Sequence, residues 1–268
     1  MKLQVLVSTM NQRDHALIER MNIRTDAVII NQCGTEGEEA IHTPYGTVNW
    51  INMNERGLSK SRNAALQHAE ADIALIADDD VTYYDDYEKT ILDAYRRYPK
   101  ADICAFYLQS TDPTRPTSKP LKQGYISYLN SMRLASFMLS FKPEALSRAG
   151  IAFDEHFGAG SGMYSMGEDN IVLIHCLKKG LKLAYDDHVI GTVTHAQSTW
   201  WNGTYTEKLM HDKGAMFYEI SRLFSTALIW QFAVRKYPLY KKDMTFKRAL
   251  KIMLLGKKEY ADRLTDRV

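Results

Sequence analysis

Cysteine is scarce: Cys33, Cys104 and Cys176 are the only three in 268 residues. A set that is odd in number and widely spaced supplies neither a disulfide framework nor a zinc-ligand pattern. Cys104 and Cys176 fall inside apolar runs and read as small buried hydrophobes. No run of 18 apolar residues occurs, so no segment reads as a membrane-spanning helix. The chain enters a strand-like run at once, Met1-Lys2-Leu3-Gln4-Val5-Leu6-Val7, which is too short for a signal peptide. An excess of one charge is missing too: 34 basic against 32 acidic residues leave +2, which argues against nucleic acid as a partner. Internal repeats and low-complexity segments are absent.

What is present suits a globular fold. A hydrophobic content of 45% is ordinary for a packed domain. The length allows one large α/β domain with an appendage, or two small domains. In the first half, short apolar runs at Gln4–Ser8, Asp26–Asn31, Val48–Met53, Asp72–Ala77 and Ile103–Leu108 alternate with helical patterns at Asp14–Met21, Ser59–Glu70 and Asp85–Tyr98. That alternation predicts βαβ units and a mostly parallel sheet. Residues 109–125 hold three of the seven prolines and read as a loop. Beyond it come a strand over Ser136–Lys142, a helix opening at Pro143, a glycine-rich loop over Phe153–Gly162 and a buried helix from Glu168 to near Gly180. Two short strands, Leu181–Tyr185 and Val189–Thr194, follow. From Tyr205 onward the pattern is helical, with Pro238 as almost its only turn signal.

Asp78-Asp79-Asp80 ends the apolar run Ile73–Ala77. Three adjacent carboxylates repel one another, and a fold tolerates them in water or around a hard cation that prefers oxygen. Their place, past the carboxyl end of a buried strand, is where open α/β sheets bind ligands. Upstream, Ser59 opens a helix after Gly57, whose N–H groups suit a phosphate. Arg62, one turn on, faces either a bound phosphate or the Asp cluster, or else makes an ordinary surface ion pair. Downstream stand Gly167-Glu168-Asp169-Asn170 and then His195 with Ser198-Thr199.

The order Asn54–Leu66, Asp78–Asp80, Gly167–Asn170 and His195 resembles the inverting family 2 glycosyltransferases of the GT-A fold, over roughly residues 1–200. The resemblance implies a GT-A nucleotide-sugar domain over residues 1–204 and a C-terminal helical, basic extension over 205–268. It implies Asp80 and Asp78 as ligands of Mn²⁺ or Mg²⁺, with Asp79 as an alternative because a run of three blurs the register. His195 resembles the histidine that some members add to the metal, and imidazole tilts the choice towards Mn²⁺. Asp169 matches the catalytic base, with Glu168 orienting an acceptor hydroxyl or sharing the role. Ser8 and Thr9 end the first strand, where the family seats base and ribose. Asn31 and Gln32 end the second, where many relatives carry an acid on the uridine; that departure leaves the base open. Gly158 and Gly160 let backbone approach the sugar or simply make a turn. Trp200-Trp201 offers a wall for the acceptor, with at least one ring used in packing.

Residues 235–258 carry nine basic side chains against one acid, Asp243. Together with Tyr237, Leu239, Tyr240 and Phe246 they suit an anionic membrane surface, a lid on the catalytic domain or a homo-oligomer interface. The expected place is the cytoplasm, at the inner face of the cell membrane. The expected reaction moves a sugar from a nucleotide-diphospho sugar, UDP-linked, to a saccharide or lipid-linked acceptor in surface-polysaccharide synthesis. A nucleotidyltransferase would need a glycine-rich basic loop after the first strand, and Ser8-Thr9-Met10-Asn11-Gln12-Arg13 has no glycine. A non-catalytic sugar- or nucleotide-binding module at a membrane would keep the pocket without needing Asp169.

Overall fold

The computed structural model describes residues 1–113, 117, 120–194 and 204–265. The chain begins with β1 (Leu3–Met10), α1 (Leu17–Arg20), β2 (Asp26–Gln32), β3 (Gly37–Thr43), β4 (Gly46–Met53) and α2 (Leu58–Gln67). It continues through β5 (Ile73–Asp78), β6 (Val81–Tyr83), α3 (Tyr87–Arg97), β7 (Ile103–Ser110), β8 (Gly124–Tyr125) and α4 (Tyr128–Ser131). A 3₁₀ turn, Ser136–Met138, leads into β9 (Leu139–Phe141), α5 (Pro143–Ala149), α6 (Glu168–Lys178) and β10 (Leu183–Val193). Three helices close the chain: α7 (Glu207–Ile220), α8 (Ser225–Tyr240) and α9 (Phe246–Thr265).

Among the described residues the strands form one sheet in the order β3-β4-β2-β1-β5-β9-β7-β10-β6, with β8 on β10. β4, β2, β1 and β5 run parallel, and so do β7 and β10. Side chains alternate across the sheet with a period of two. Val5, Val7, Ile29, Leu75, Ala77, Cys104 and Phe106 pack on one face, under α3. Leu6, Val28, Ile30, Ala74, Ile76, Ile103 and Ala105 pack on the other, with residues of α2, α5 and α6. Because both faces are covered, the central strands read as nearly unbroken apolar runs.

The sheet opens a crevice where the chemistry is expected. β9 is three residues long and pairs with β5 only at Ala74 and Leu75. The carboxyl end of β5 therefore has no strand on that side, a switch point of the kind that binds ligands in α/β sheets. Asp79 and Asp80 turn the chain from β5 to β6, which pairs antiparallel with the end of β10.

Several elements differ from the sequence expectation. The helix expected over Asp14–Met21 is only Leu17–Arg20, because Leu17 and Ile18 are the residues it buries. β3 and β6 were not expected. β3 is a polar, largely exposed edge strand, and Glu38 and Glu39 guard it against pairing with other chains. The strand expected over Ser136–Lys142 begins as the 3₁₀ turn. The two strands expected at Leu181–Tyr185 and Val189–Thr194 are one strand, β10, with a bulge between Tyr185 and Val189. Pro238 does not end α8 but sits in its last turn.

The C-terminal helices have their own core. Leu209, Met216, Phe217, Ile229, Phe232, Ala249, Met253 and Tyr260 pack with Phe157, Tyr164, Met166, Ile171 and Ile174 of the glycine loop and α6. α7 and α9 cross so closely that a Cβ on Gly214 would stand 1.9 Å from Met253 O, and one on Gly256 2.0 Å from His211 O. Only glycine fits at either position. No helix among the described residues is long and apolar enough to cross a membrane.

Candidate functional site

Arg62 organises the crevice. The 3.6-residue period of α2 turns it inward, where it is 2% exposed. Its guanidinium lies 5.4 Å from the centre of the Phe153 ring and is shared among three carboxylates. Nη2 donates to Asp78 Oδ1 at 2.9 Å. Nη1 donates to Glu168 Oε1 and to Asp169 Oδ1, both at 3.1 Å. The end of β5 and the start of α6, ninety residues apart in sequence, are thus fixed to one rigid fork. Of the two readings for Arg62, the surface ion pair is excluded.

Three carboxylates against one guanidinium leave surplus negative charge in a dry place. Burial pushes the Glu168 carboxyl up to about 8, the charge of Asp169 adds to this, and Arg62 pulls the other way. The pressure on Glu168 is therefore towards its protonated form, while Asp169 is the more exposed of the pair, with 25% of its side chain accessible against 10%. An acid and an accessible carboxylate side by side on one helical turn suit proton handling.

Around Asp78 the turn is held by short polar contacts. The Thr9 hydroxyl donates to Asp79 Oδ2 at 2.6 Å, and Gln12 Nε2 donates to Thr9 Oγ1 at 2.8 Å. Burial raises the Asp79 carboxyl above its ordinary value, against the Thr9 hydrogen bond that lowers it. Asp80 accepts from the backbone N–H of Thr194 at 3.1 Å through its own carbonyl. Asp78, Asp79 and Asp80 offer the hard oxygens that Mg²⁺ or Mn²⁺ prefers, but their carboxylates are not gathered within 4.8 Å of one another. His195, Ser198, Thr199 and the Trp200-Trp201 pair lie outside the described residues.

The other expected residues are brought to the same rim, several with their polar atoms in use. Ser8 accepts from the Ser61 hydroxyl at 2.8 Å. Asn31 accepts from the N–H of Gln12, and its amide donates to Gln12 O and Asn52 Oδ1. Gln32 Nε2 donates to Gly57 O at 3.2 Å. Ser59 Oγ donates to Phe157 O at 2.7 Å, and the N–H of Leu58 to Ala159 O at 2.8 Å. The glycine loop thus covers part of the α2 N-terminus that the sequence suggested for a phosphate. Gly160 enables this contact: at φ +75° a Cβ there would stand 3.3 Å from Gly57 Cα. Gly158, at φ +106°, would push a Cβ to 3.2 Å from both Glu168 Cδ and Ser59 Oγ.

Gln12, Ser61 and Phe153 were not foreseen. Ser61 stands one residue before Arg62 on the inward face of α2, a signal that was available. Gln12 and Phe153 carry none, because loops that meet only in the fold place them.

Among the described residues, one group of three has metal-ligand atoms within 4.8 Å of one another: Asp186, Asp187 and His188. It sits in the bulge of β10, well back from the crevice. Asp186 is buried and already engaged by Arg97 and His188, and Gln123 donates to Asp187. The group is a structural knot that closes the bulge.

Comparison with known proteins agrees with this layout. The sequence matches the family described as Glycosyl transferase family 2 over residues 8–157, more than half of the chain. A search of curated proteins finds no match. Among solved structures, TarS 1–349 of S. aureus in complex with UDP is similar with a TM-score of 0.65 at 15% identity, over 98% of this chain and 83% of that one. The same protein with UDP-GlcNAc gives 0.63 at 15%, over 99% and 80%. The mannosyltransferase PcManGT from Pyrobaculum calidifontis, with GDP-Man and Mn²⁺, gives 0.50 at 13%, over 97% and 75%. At such identities the likeness shows the fold, a GT-A-like sheet with C-terminal helices. With its fold and more than half of its sequence in agreement, the chain belongs to glycosyl transferase family 2.

Proposed function

We propose that the chain transfers a sugar from a UDP-linked nucleotide-diphospho sugar to a hydroxyl of a saccharide or lipid-linked acceptor, with inversion at the anomeric carbon, in surface-polysaccharide synthesis. The carrying observation is the Arg62 fork, which ties the Asp78 turn to Glu168 and Asp169. Asp169 takes the proton of the acceptor hydroxyl. The freed oxygen attacks the anomeric carbon from the face opposite the diphosphate, and the bonding pair leaves with the diphosphate oxygen. Glu168, protonated, donates a hydrogen bond to the acceptor and keeps a second negative charge out of the pocket. Ser8 and Thr9 hold the nucleotide at the end of β1, with Asn31 and Gln32 shaping the wall beside it. Ser59 and Gly160 shape the sugar side.

Asp78 and Asp80, with His195, would hold a divalent ion, with Asp79 the alternative to Asp80; that Thr194 bonds to Asp80 supports His195 in this role. Such an ion would neutralise the charge that builds on the departing diphosphate. UDP in TarS and Mn²⁺ in PcManGT favour these choices.

Residues 1–204 form the catalytic domain in this reading and 205–268 the extension. Leu223, Phe224, Trp230, Val234 and Leu239 are exposed on and beside α8, with Arg222, Arg235, Lys241 and Lys242 exposed around them. That combination favours peripheral contact with an anionic membrane at the cytoplasmic face. Calorimetric titration with UDP, GDP and CDP, each with Mn²⁺ and with EDTA, tests the donor reading. Metal-dependent binding of UDP is the expected result; a folded protein that binds no nucleotide overturns it.

A further inference from the structure

The turn that delivers Glu168 and Asp169 is gripped from two directions. α6 starts after Gly167, which lies at φ +107°, and no side chain caps the helix there. Arg62 holds the two acids from α2. The second grip comes from α7. Asp212 Oδ2 accepts from the N–H of Ser165 at 2.8 Å and from its hydroxyl at 2.7 Å, two residues before Gly167. One turn further along the same side of α7, Met216 meets Gly167 itself, where a Cβ would stand 2.7 Å from Met216 Cγ. Met166, between the two contacts, is buried in the core of the C-terminal helices.

Packing alone would not call for an acid at this place. Asp212 is 1% exposed, and a buried carboxylate costs desolvation that an apolar side chain avoids. The fold meets that cost with a full set of donors. Besides Ser165, Lys208 Nζ donates to Oδ2 at 3.0 Å, and His211 Nδ1 lies 3.4 Å from Oδ1. His211 Nε2 in turn pairs with Glu259 Oε2 of α9 at 2.9 Å, so two helices fix the acid. Beside it a cavity of about 310 Å³ opens between Gly162–Tyr164 and the side chains of Lys208, His211 and Arg263. Where packing is incomplete, directed hydrogen bonds decide where the chain enters α6.

We infer that Asp212 is a positioning residue for the catalytic base: by clasping Ser165 it sets the start of α6 and so the place of Asp169 against Arg62 and the acceptor hydroxyl. The inference rests on the glycosyltransferase reading and adds to it a residue that touches neither sugar nor nucleotide. A reacting group misplaced by about 1 Å loses roughly 10²-fold in rate, so a small shift at Ser165 tells more in turnover than in stability.

The test is a double-mutant cycle on the full chain. UDP released from UDP-glucose, UDP-galactose or UDP-N-acetylglucosamine, with water as the acceptor, is followed for the wild type, Asp212→Asn, Asp169→Asn and the two combined. Asp212→Asn is expected to lower kcat about tenfold or more and to leave donor KM and UDP affinity within about twofold. Added to Asp169→Asn it should lower the remaining rate by less than about twofold, because the base it places is already gone. Equal losses in both backgrounds, an unchanged kcat, or a loss confined to KM overturns the inference. Ser165→Ala removes only the hydroxyl bond and should lower kcat about fivefold, which covers an Asp212→Asn chain that does not fold. If the wild type turns over none of the three donors, hydrogen exchange across residues 161–171 decides the clasp separately from the transferase reading. Faster exchange there in Asp212→Asn and Ser165→Ala supports it, and unchanged exchange overturns it.

Discussion

Arg62 on α2 and Lys213 on α7 are both carried inward by their helices, and the fold treats them in opposite ways. Arg62 is buried and saturated with acids: Asp78, Glu168 and Asp169 all accept from it. Lys213 is half-buried and meets an aromatic ring and two further cations. The first arrangement is complete and holds the site in shape. The second rests on an aromatic contact, and no ion pair completes it among the described residues. Removing one member of a buried charge network leaves the others uncompensated, whereas a buried charge with no acid beside it already costs stability.

The largest effect expected within this contrast is on turnover. Asp169→Asn keeps the shape of the side chain and removes the proposed base, so transfer should fall by about 10²–10⁴-fold with donor affinity retained. Rates measured beside UDP titrations check this, and transfer at the wild-type rate would remove Asp169 from the mechanism. Next, Arg62→Met leaves three carboxylates around an apolar side chain. Breaking a buried pair costs roughly 3–5 kcal/mol, which for a chain of this size lowers the melting temperature on the order of 10 °C. Lys213→Met should move it the other way by a few degrees. Thermal melts of the two variants side by side sharpen the comparison, and a shift in the same direction for both would break it.

A smaller effect concerns pH. Glu168 carries a raised pKa in the fold, so between its ordinary value and about 8 the folded chain binds one proton more than the unfolded chain. The stability linked to it is complete below the unfolded value and is lost as pH rises through about 8. The slope reaches at most about 1.4 kcal/mol per pH unit. Denaturation of the wild type and of Glu168→Gln from pH 5 to 9 should show the slope in the first and a flatter line in the second. The smallest effect is expected at the surface. Trp230→Ser should weaken sedimentation with anionic vesicles severalfold and leave the melting temperature within about 2 °C, as surface changes do.

The sheet and the chemical motif were legible because each is local. Ile73–Ala77 reads as a buried strand from its own side chains, and Asp78–Asp80 announces a turn that carries charge. α6 could likewise be placed from the apolar residues after Glu168. The partners of Arg62 could not, since Glu168 is 106 residues away and only the packing of α6 on the sheet brings it close. β3 was invisible because a solvated edge strand needs no apolar alternation; its pairing with β4 holds it. Lys213 was the hardest to see. A lysine in an amphipathic helix looks the same whether it ends in water or against a phenyl ring.

The glycine contacts between α7 and α9 carry this contrast one step further. Gly214 and Gly256 let the two helices meet main chain to main chain, so neither can slide or roll without collision. Such a joint works as a mechanical stop: it sets how α7 seats on the start of α6, where Gly167 meets Met216, by atoms common to every amino acid. The last twenty-residue helix, which lies far from the aspartates in sequence, therefore helps to hold Glu168 and Asp169 in place through α7. Grafting a different tail onto the chain would then disturb the seating of these two carboxylates as well as how firmly the chain folds.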